Sequence, residues 1–281
     1  MSRYRVQRAG FALLGLVSLM VVVPIVIVIG SVIWRGIGAV NWAFLTEMPS
    51  DGMKAGGILP AIVGTLLLTL GTALVVIPMG IGGAIYLSEY APESAFTRAI
   101  RLAIINLSSI PSVVYGLFGL GLFVLLMGMG TSIVAGALTL AIMTLPMIIS
   151  TSEEALRAVP LEFRMVSASL GGTKWQGIRH VVLPQALPGI ITGVILGLLR
   201  AAGETAPILF TAAAFYLPHL PHSLFDETMA LPYHLYVIST QVPGMPAEMQ
   251  NGTALVLLVF VLSLNVVASI IRSHFRRRRE W

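Results

Sequence analysis

A guanidinium and a carboxylate stand four residues apart in an otherwise apolar run: Arg200-Ala-Ala-Gly203-Glu204-Thr205-Ala-Pro207, within about Ala186–Ala214. On a helix this spacing puts both side chains on one face, one turn apart. An isolated charge at mid-bilayer costs about 2.5–3.5 kcal/mol on the insertion scale, so both must face protein or water. Two chemistries fit. Arg200 can attract an anion, with Glu204 restraining the arginine between solute passages and Thr205 adding a hydroxyl. Alternatively, the pair is structural, within the chain or to a partner subunit. Gly203 allows close approach of a helix or a solute. Pro207 has no N–H to give the Gly203 carbonyl and so exposes an acceptor one turn back.

Hydroxyls recur in two earlier apolar runs. Ser108, Ser112 and Tyr115 follow i, i+4, i+7, and Pro111 frees the Leu107 carbonyl beside them; Thr65, Thr69 and Thr72 form a second stripe. Such stripes either line a wet path or hold helices together.

These groups must be positioned by membrane helices. The 281 residues are 57% hydrophobic and 10% charged, against about 45–50% and 25% for a soluble domain, and mean hydropathy is +0.92. Disorder, collagen and disulfide-stapled modules are excluded, and the lack of cysteine removes thiolate chemistry and Cys-type metal sites. Apolar runs at about Gly10–Trp34, Ile58–Leu87, Leu102–Met127, Ile133–Thr151, Ala186–Ala214 and Gly252–Ile271 predict an all-α membrane protein of six transmembrane helices. The first run is too long for a signal peptide and reads as a retained helix. Residues 1–57 hold the N-terminal tail, first helix and outer loop; 58–275 form the core; 276–281 are a basic tail.

With both termini cytoplasmic, the inner side receives Arg3, Arg5, Arg8, Arg98, Arg101, Arg157, Arg164, Lys174, Arg179, Arg272 and Arg276–Arg279, leaving Arg35 and Lys54 outside. That asymmetry is the positive-inside pattern and accounts for the basic tail better than nucleic-acid binding does.

The cytoplasmic loop at about 152–187 is patterned. Ala155–Val159 predicts a short helix ended by Pro160, and Leu161, Arg164, Met165 and Ala168 recur at helical spacing. Gly171-Gly172 supplies a turn, and Thr173 is the expected N-cap of a second short helix to His180, whose continuation Pro184 and Pro188 limit. Two helices around a glycine turn make a knob suited to docking, unless the loop lies on the bilayer surface.

This loop resembles the coupling, or EAA, loop of type I ABC-importer permeases. Gly171, Val181, Leu183 and Pro184 fall at the family's spacing, while the EAA triplet falls on Met165, Val166 and Ser167, so its acidic residue is missing. The segments RAAGETAPILFTA and NLSSIPSVVYGLFG are similar to those of phosphate-system permeases of the PstA type, and GETAP separates this chain from the sister PstC type. The resemblance implies the type I ABC-importer permease fold in a bacterial inner membrane. It further implies partners: a PstC-like permease, two PstB-like ATPases holding ATP and Mg, and a PstS-like phosphate-binding protein. Coupling to the ATPases would run through Gly171, Gly172, Val181, Leu183 and Pro184. Phosphate would pass along a path drawn from Arg200, Glu204, Thr205, Ser108, Ser112 and Tyr115, with Gly203, Pro207 and Pro111 as hinges or sources of free carbonyls.

The chain has no GxxxxGK[ST] phosphate loop and no hydrolase or zinc-protease signature, so ATP hydrolysis and covalent catalysis are not expected of it, nor a cofactor of its own. His219, His222 and His234, with Asp226 and Glu227, lack the spacing of a compact zinc site. A permease for another oxyanion or small solute remains open, as does an ATP-independent channel or secondary transporter, although no inverted second half is visible.

Overall fold

A computed structural model describes residues 3–169 and 171–277. Helix α1 (Arg3–Gly36) leads into a short α2 (Trp42–Thr46) and a minimal hairpin, β1 (Pro49–Ser50) with β2 (Ala55–Gly56). Then come α3 (Leu59–Ile85), which ends in a π turn at Tyr86–Tyr90, α4 (Ala95–Ser108), α5 (Ser112–Gly119), continued as π helix to Leu126, and α6 (Ile133–Arg157). The loop forms α7 (Leu161–Ser169) and α8 (Lys174–Gly177), and the chain closes with α9 (Leu183–Gly203), α10 (Ala206–Thr211), α11 (Leu231–Thr240) and α12 (Ala247–Arg277). The tail residues 278–281, including Arg278 and Arg279, lie outside the described residues.

Among the described residues, five helical stretches are long and apolar enough to cross a membrane: Gly10–Gly36, Leu59–Tyr90, Ile133–Arg157, Lys174–Gly203 and Ala247–Ser273. The expected third span is no single helix. It is α4 plus α5 with its π extension, bent by 102°, so a count of six holds only if the bent pair is one span. The cause is local. Pro111 lacks an N–H, and a proline disfavours α geometry in the residue before it, so α4 caps at Ser109 and α5 starts afresh at Ser112.

Three further expectations change. Ala155–Arg157 are the last turn of α6 rather than a separate helix. Pro184 and Pro188 do not stop the loop's second helix: Lys174–Gly203 runs on as one span. A π segment at Ile178–Val182, with the Leu183 N–H on the Ile178 carbonyl, shifts the bonding register just before Pro184, which then sits in the first turn of α9. Finally, the fifth span ends at Gly203 instead of Ala214.

Helix α6 is the hub. Its neighbours approach closely because small residues face it: a methyl on Gly71 would lie 2.9 Å from Ala137 Cβ, one on Gly80 2.6 Å from Ile148, and one on Gly189 2.6 Å from Ala155. In a membrane such contacts supply packing that hydrophobicity alone does not. The Thr65, Thr69, Thr72 stripe is buried and belongs to this packing. Thr65 accepts from the Leu231 N–H at 2.8 Å, and Thr72 reaches the Ala137 carbonyl at 3.3 Å. By contrast, the apolar window of α1 is wholly exposed, which in a membrane means lipid or a partner.

Candidate functional site: two broken helices and a clamped loop

Two of the membrane-spanning stretches break, and the pieces after the breaks pack on each other. The first break is Ser109–Pro111. The second is Glu204–Thr205, where Glu204 leaves α9 in extended geometry (φ −77, ψ 136) and α10 restarts with Pro207 in its first turn. Proline again sets the position, since it can begin a helix but cannot bond to the turn before it. Between α5 and α10 the backbones nearly touch: a methyl on Gly116 would lie 2.9 Å from the Ala206 carbonyl and 3.0 Å from Pro207 Cα. Non-helical backbone at membrane depth survives only where protein buries it or it lines a cavity.

Arg200 occupies the last turn of α9. Its Nε donates to Glu204 Oε1 at 3.3 Å, and the two side chains are 37% and 18% exposed. The expected pairing is therefore present, although Glu204 caps the helix rather than continuing it. The contact is long and single. Among the described residues no other acceptor is recorded for Arg200, so of five guanidinium donors four have no protein partner. A Cβ added at Gly203, the last residue of the same turn, would meet nothing within 4 Å, so the site is open there.

Tyr115 lies within Coulombic range of Arg200. Its hydroxyl donates to the Leu107 carbonyl at 2.8 Å, so the acceptor freed around Pro111 is taken from across the bend. Ser112 and Tyr115 share a face of α5, but Ser108 does not join them as expected, because it lies across the 102° bend at the end of α4. Ser108 instead donates back to the Ile104 carbonyl at 3.3 Å. Thr205 is half-buried beside Glu204, and Pro207 is buried against α5.

At the other end of the bundle the loop is clamped by ion pairs that sequence reasoning missed. Arg164 of α7 grips both carboxylate oxygens of Glu89, at 2.6 and 2.5 Å, and also donates to the Leu156 carbonyl at 2.7 Å. Arg101 of α4 donates to Glu153 of α6 at 2.8 Å and to the Leu87 carbonyl at 2.8 Å, while Arg157 reaches Glu153 at 3.0 Å. The available signal was an acid just after the second and the fourth apolar runs, Glu89 and Glu153, with basic residues in the same loops. Thr173 caps α8 as expected, in a full capping box with Gln176. Gly171 takes the left-handed φ of +74 that the turn requires. Ile178 and Val182 are buried, the latter clustering with Ala84, Leu156 and Val159, while Leu161, Met165 and Trp175 stay exposed. Val181, Leu183 and Pro184 lie half-buried on the helix that runs straight into the span. The knob is thus joined to Arg200 by one continuous helical stretch.

His219 and His222 stack, with centroids 5.9 Å apart, on the loop before α11, whereas His234 is buried within α11. Burial pulls the His234 imidazole down to about 4. No cluster of three metal-ligating side chains occurs among the described residues.

The family model of binding-protein-dependent transport system inner membrane components matches residues 76–281. The chain belongs to that family. Members are transport subunits, and ATP hydrolysis lies in a partner. This transport-system component is 34% identical over 282 residues to a probable ABC transporter permease, YqgI, of Bacillus subtilis, covering 95% of each chain. It is 34% identical to the phosphate transport system permease PstA 1 of Mycobacterium tuberculosis, over 92% of this chain and 85% of that one. A probable PstA of Methanocaldococcus jannaschii is 33% identical over 90% and 89%. Among solved structures, a bacterial ABC transporter importing alginate superposes with a TM-score of 0.67 at 15% identity, over 95% of this chain and 98% of that one. The MetNI methionine transporter superposes at 0.64 and 18% identity, over 78% and 95%. The fold is that of a type I ABC-importer permease.

Proposed function

We propose that this inner-membrane component is the PstA-type permease of an ATP-driven importer of inorganic phosphate. The observation that carries the reading is the Arg200 guanidinium, held by one long bond to Glu204 beside an open Gly203. An arginine so placed can offer a free fork to a tetrahedral oxyanion. A passage site must also release its solute. Glu204 supports release by competing for the same donors once the anion has moved on. Thr205 and the Tyr115 side of the α5–α10 contact would complete the path, with Ser108, Ser112, Gly203, Pro207 and Pro111 at or beside the two breaks. The PstA names of relatives about a third identical support phosphate over other oxyanions.

The exposed Leu161, Met165 and Trp175 fit a docking face for an ATPase, and Gly171, Gly172, Val181, Leu183 and Pro184 carry its closure into α9. ATP and Mg belong to two PstB-like ATPases and no cofactor to this chain. A PstC-like permease forms the other half of the path, and a PstS-like protein delivers phosphate at the face opposite the loop. Both termini then lie in the cytoplasm, as the basic residues indicate.

The test is uptake of labelled phosphate at micromolar concentration in cells lacking this chain, with the gene restored, against labelled sulfate. Phosphate-only rescue is expected. Rescue of sulfate alone would move the substrate to another oxyanion, and uptake without any ATPase would remove the importer reading.

A further inference from the structure

A cavity of about 630 Å³ lies far in sequence from Arg200, where the end of α1, the α2–hairpin segment and the start of α12 meet. Four charged side chains line it: Arg35 and Lys54, Glu47 and Glu248, over a floor that includes Phe44 and beside Asn41. Both signs are present, yet among the described residues none of the four has an ion-pair partner within 4.0 Å. Elsewhere in this protein the buried acids pair tightly, as Glu89 and Glu153 do. The pocket thus presents two cations and two anions that no salt bridge neutralises, Arg35, Glu47 and Glu248 exposed and Lys54 half-buried, a pattern suited to a ligand that itself carries separated charges.

Its position says which ligand. Arg35 is in the last turn of α1, whose apolar window is entirely exposed, so one wall of the pocket continues into a surface for acyl chains. Trp34 and Trp42, 86% and 79% exposed, flank it, and aromatic side chains of this kind mark the level of lipid headgroups. At that level Arg35 and Lys54 suit the phosphate of a lipid headgroup. The two carboxylates add a requirement for a cation able to donate hydrogen bonds.

We propose that this pocket binds the headgroup of a zwitterionic phospholipid with a primary ammonium, its phosphate on Arg35 and Lys54 and its ammonium on Glu47 and Glu248. A choline headgroup has the same charges but no N–H to give the carboxylates, and a glycerol headgroup has no cation. The proposal is independent of which solute the permease carries.

The test is native mass spectrometry of the full-length chain in its detergent-purified complex. The complex is equilibrated with equal amounts of phosphatidylethanolamine, phosphatidylcholine and phosphatidylglycerol of identical acyl chains. Phosphatidylethanolamine should be retained about tenfold over phosphatidylcholine, the worth of a charged hydrogen bond. Glu47→Gln with Glu248→Gln should erase that preference, while Arg35→Gln with Lys54→Gln should lower retention of both lipids. Equal retention of the three lipids by the unmodified protein, which needs no variant, would overturn the proposal. Displacement of bound lipid by millimolar inorganic phosphate would also overturn it, by making the pocket a free-anion site.

Discussion

Replacing Glu89 with glutamine removes the charge that holds the loop to the end of α3 while keeping its shape. Both Glu89 oxygens engage Arg164, and the Glu89 and Arg164 side chains are 7% and 23% exposed. Breaking a fully buried pair costs about 3–5 kcal/mol. Arg164 keeps some water and retains its bond to the Leu156 carbonyl, which lowers the expected cost to about 2 kcal/mol. At about 1.4 kcal/mol per factor of ten, that raises local opening of the loop about 30-fold. Hydrogen exchange measured by mass spectrometry on peptides covering 161–182 should accelerate by that factor, while α6 amides around Leu140 stay protected. A loosened knob should also let the partner ATPase turn over with less solute moved per ATP. Unchanged exchange in 161–182 together with an unchanged transport-to-hydrolysis ratio would refute the reasoning that this ion pair transmits the motion.

Gly116→Leu should destabilise the protein by about 1–3 kcal/mol, because the new Cβ meets Ala206 and Pro207 backbone that cannot yield; thermal denaturation of the purified chain reads this directly. Tyr115→Phe should cost about 1 kcal/mol by leaving the Leu107 carbonyl without its hydroxyl donor, and the same melting assay should resolve it. Asp226 is held below the usual aspartate range by the Ser223 and His222 N–H groups. A depressed carboxylate contributes stability above its unfolded value, near 3.8, that is lost as pH falls through the lower folded one. Exchange in the 219–227 loop should therefore rise on acidification in that window, and Asp226→Asn should abolish the dependence.

Much of this was legible in the sequence because a membrane chain must show its spans as apolar runs. The Arg200–Glu204 pair, the Gly171 turn and the Thr173 cap could be read from residue type and spacing, since each is a local device. The breaks were harder. Pro111 and Pro207 were visible, but Pro24, Pro78, Pro146 and Pro188 sit inside helices that continue. Which proline breaks its helix depends on what packs nearby, such as Gly116 against Ala206. The π segment that carries α8 into α9 has no compositional mark, so the loop looked separate from the span. The Arg101–Glu153 and Arg164–Glu89 pairs join residues 52 and 75 positions apart. Charge counting assigned those arginines a side of the membrane but could not show their partners.

Arg200 is proposed to handle the anion rather than merely brace the helix. The direct measurement is ATP-driven uptake of labelled phosphate by the reconstituted complex, comparing the unmodified chain with Arg200→Gln. Uptake should fall at least about tenfold, the loss of charged hydrogen bonds to the passing anion, with all subunits still co-purifying and span packing unchanged by melting temperature. Undiminished phosphate uptake by the variant, or a fall explained by subunit loss, would contradict it and leave Arg200–Glu204 as a structural pair.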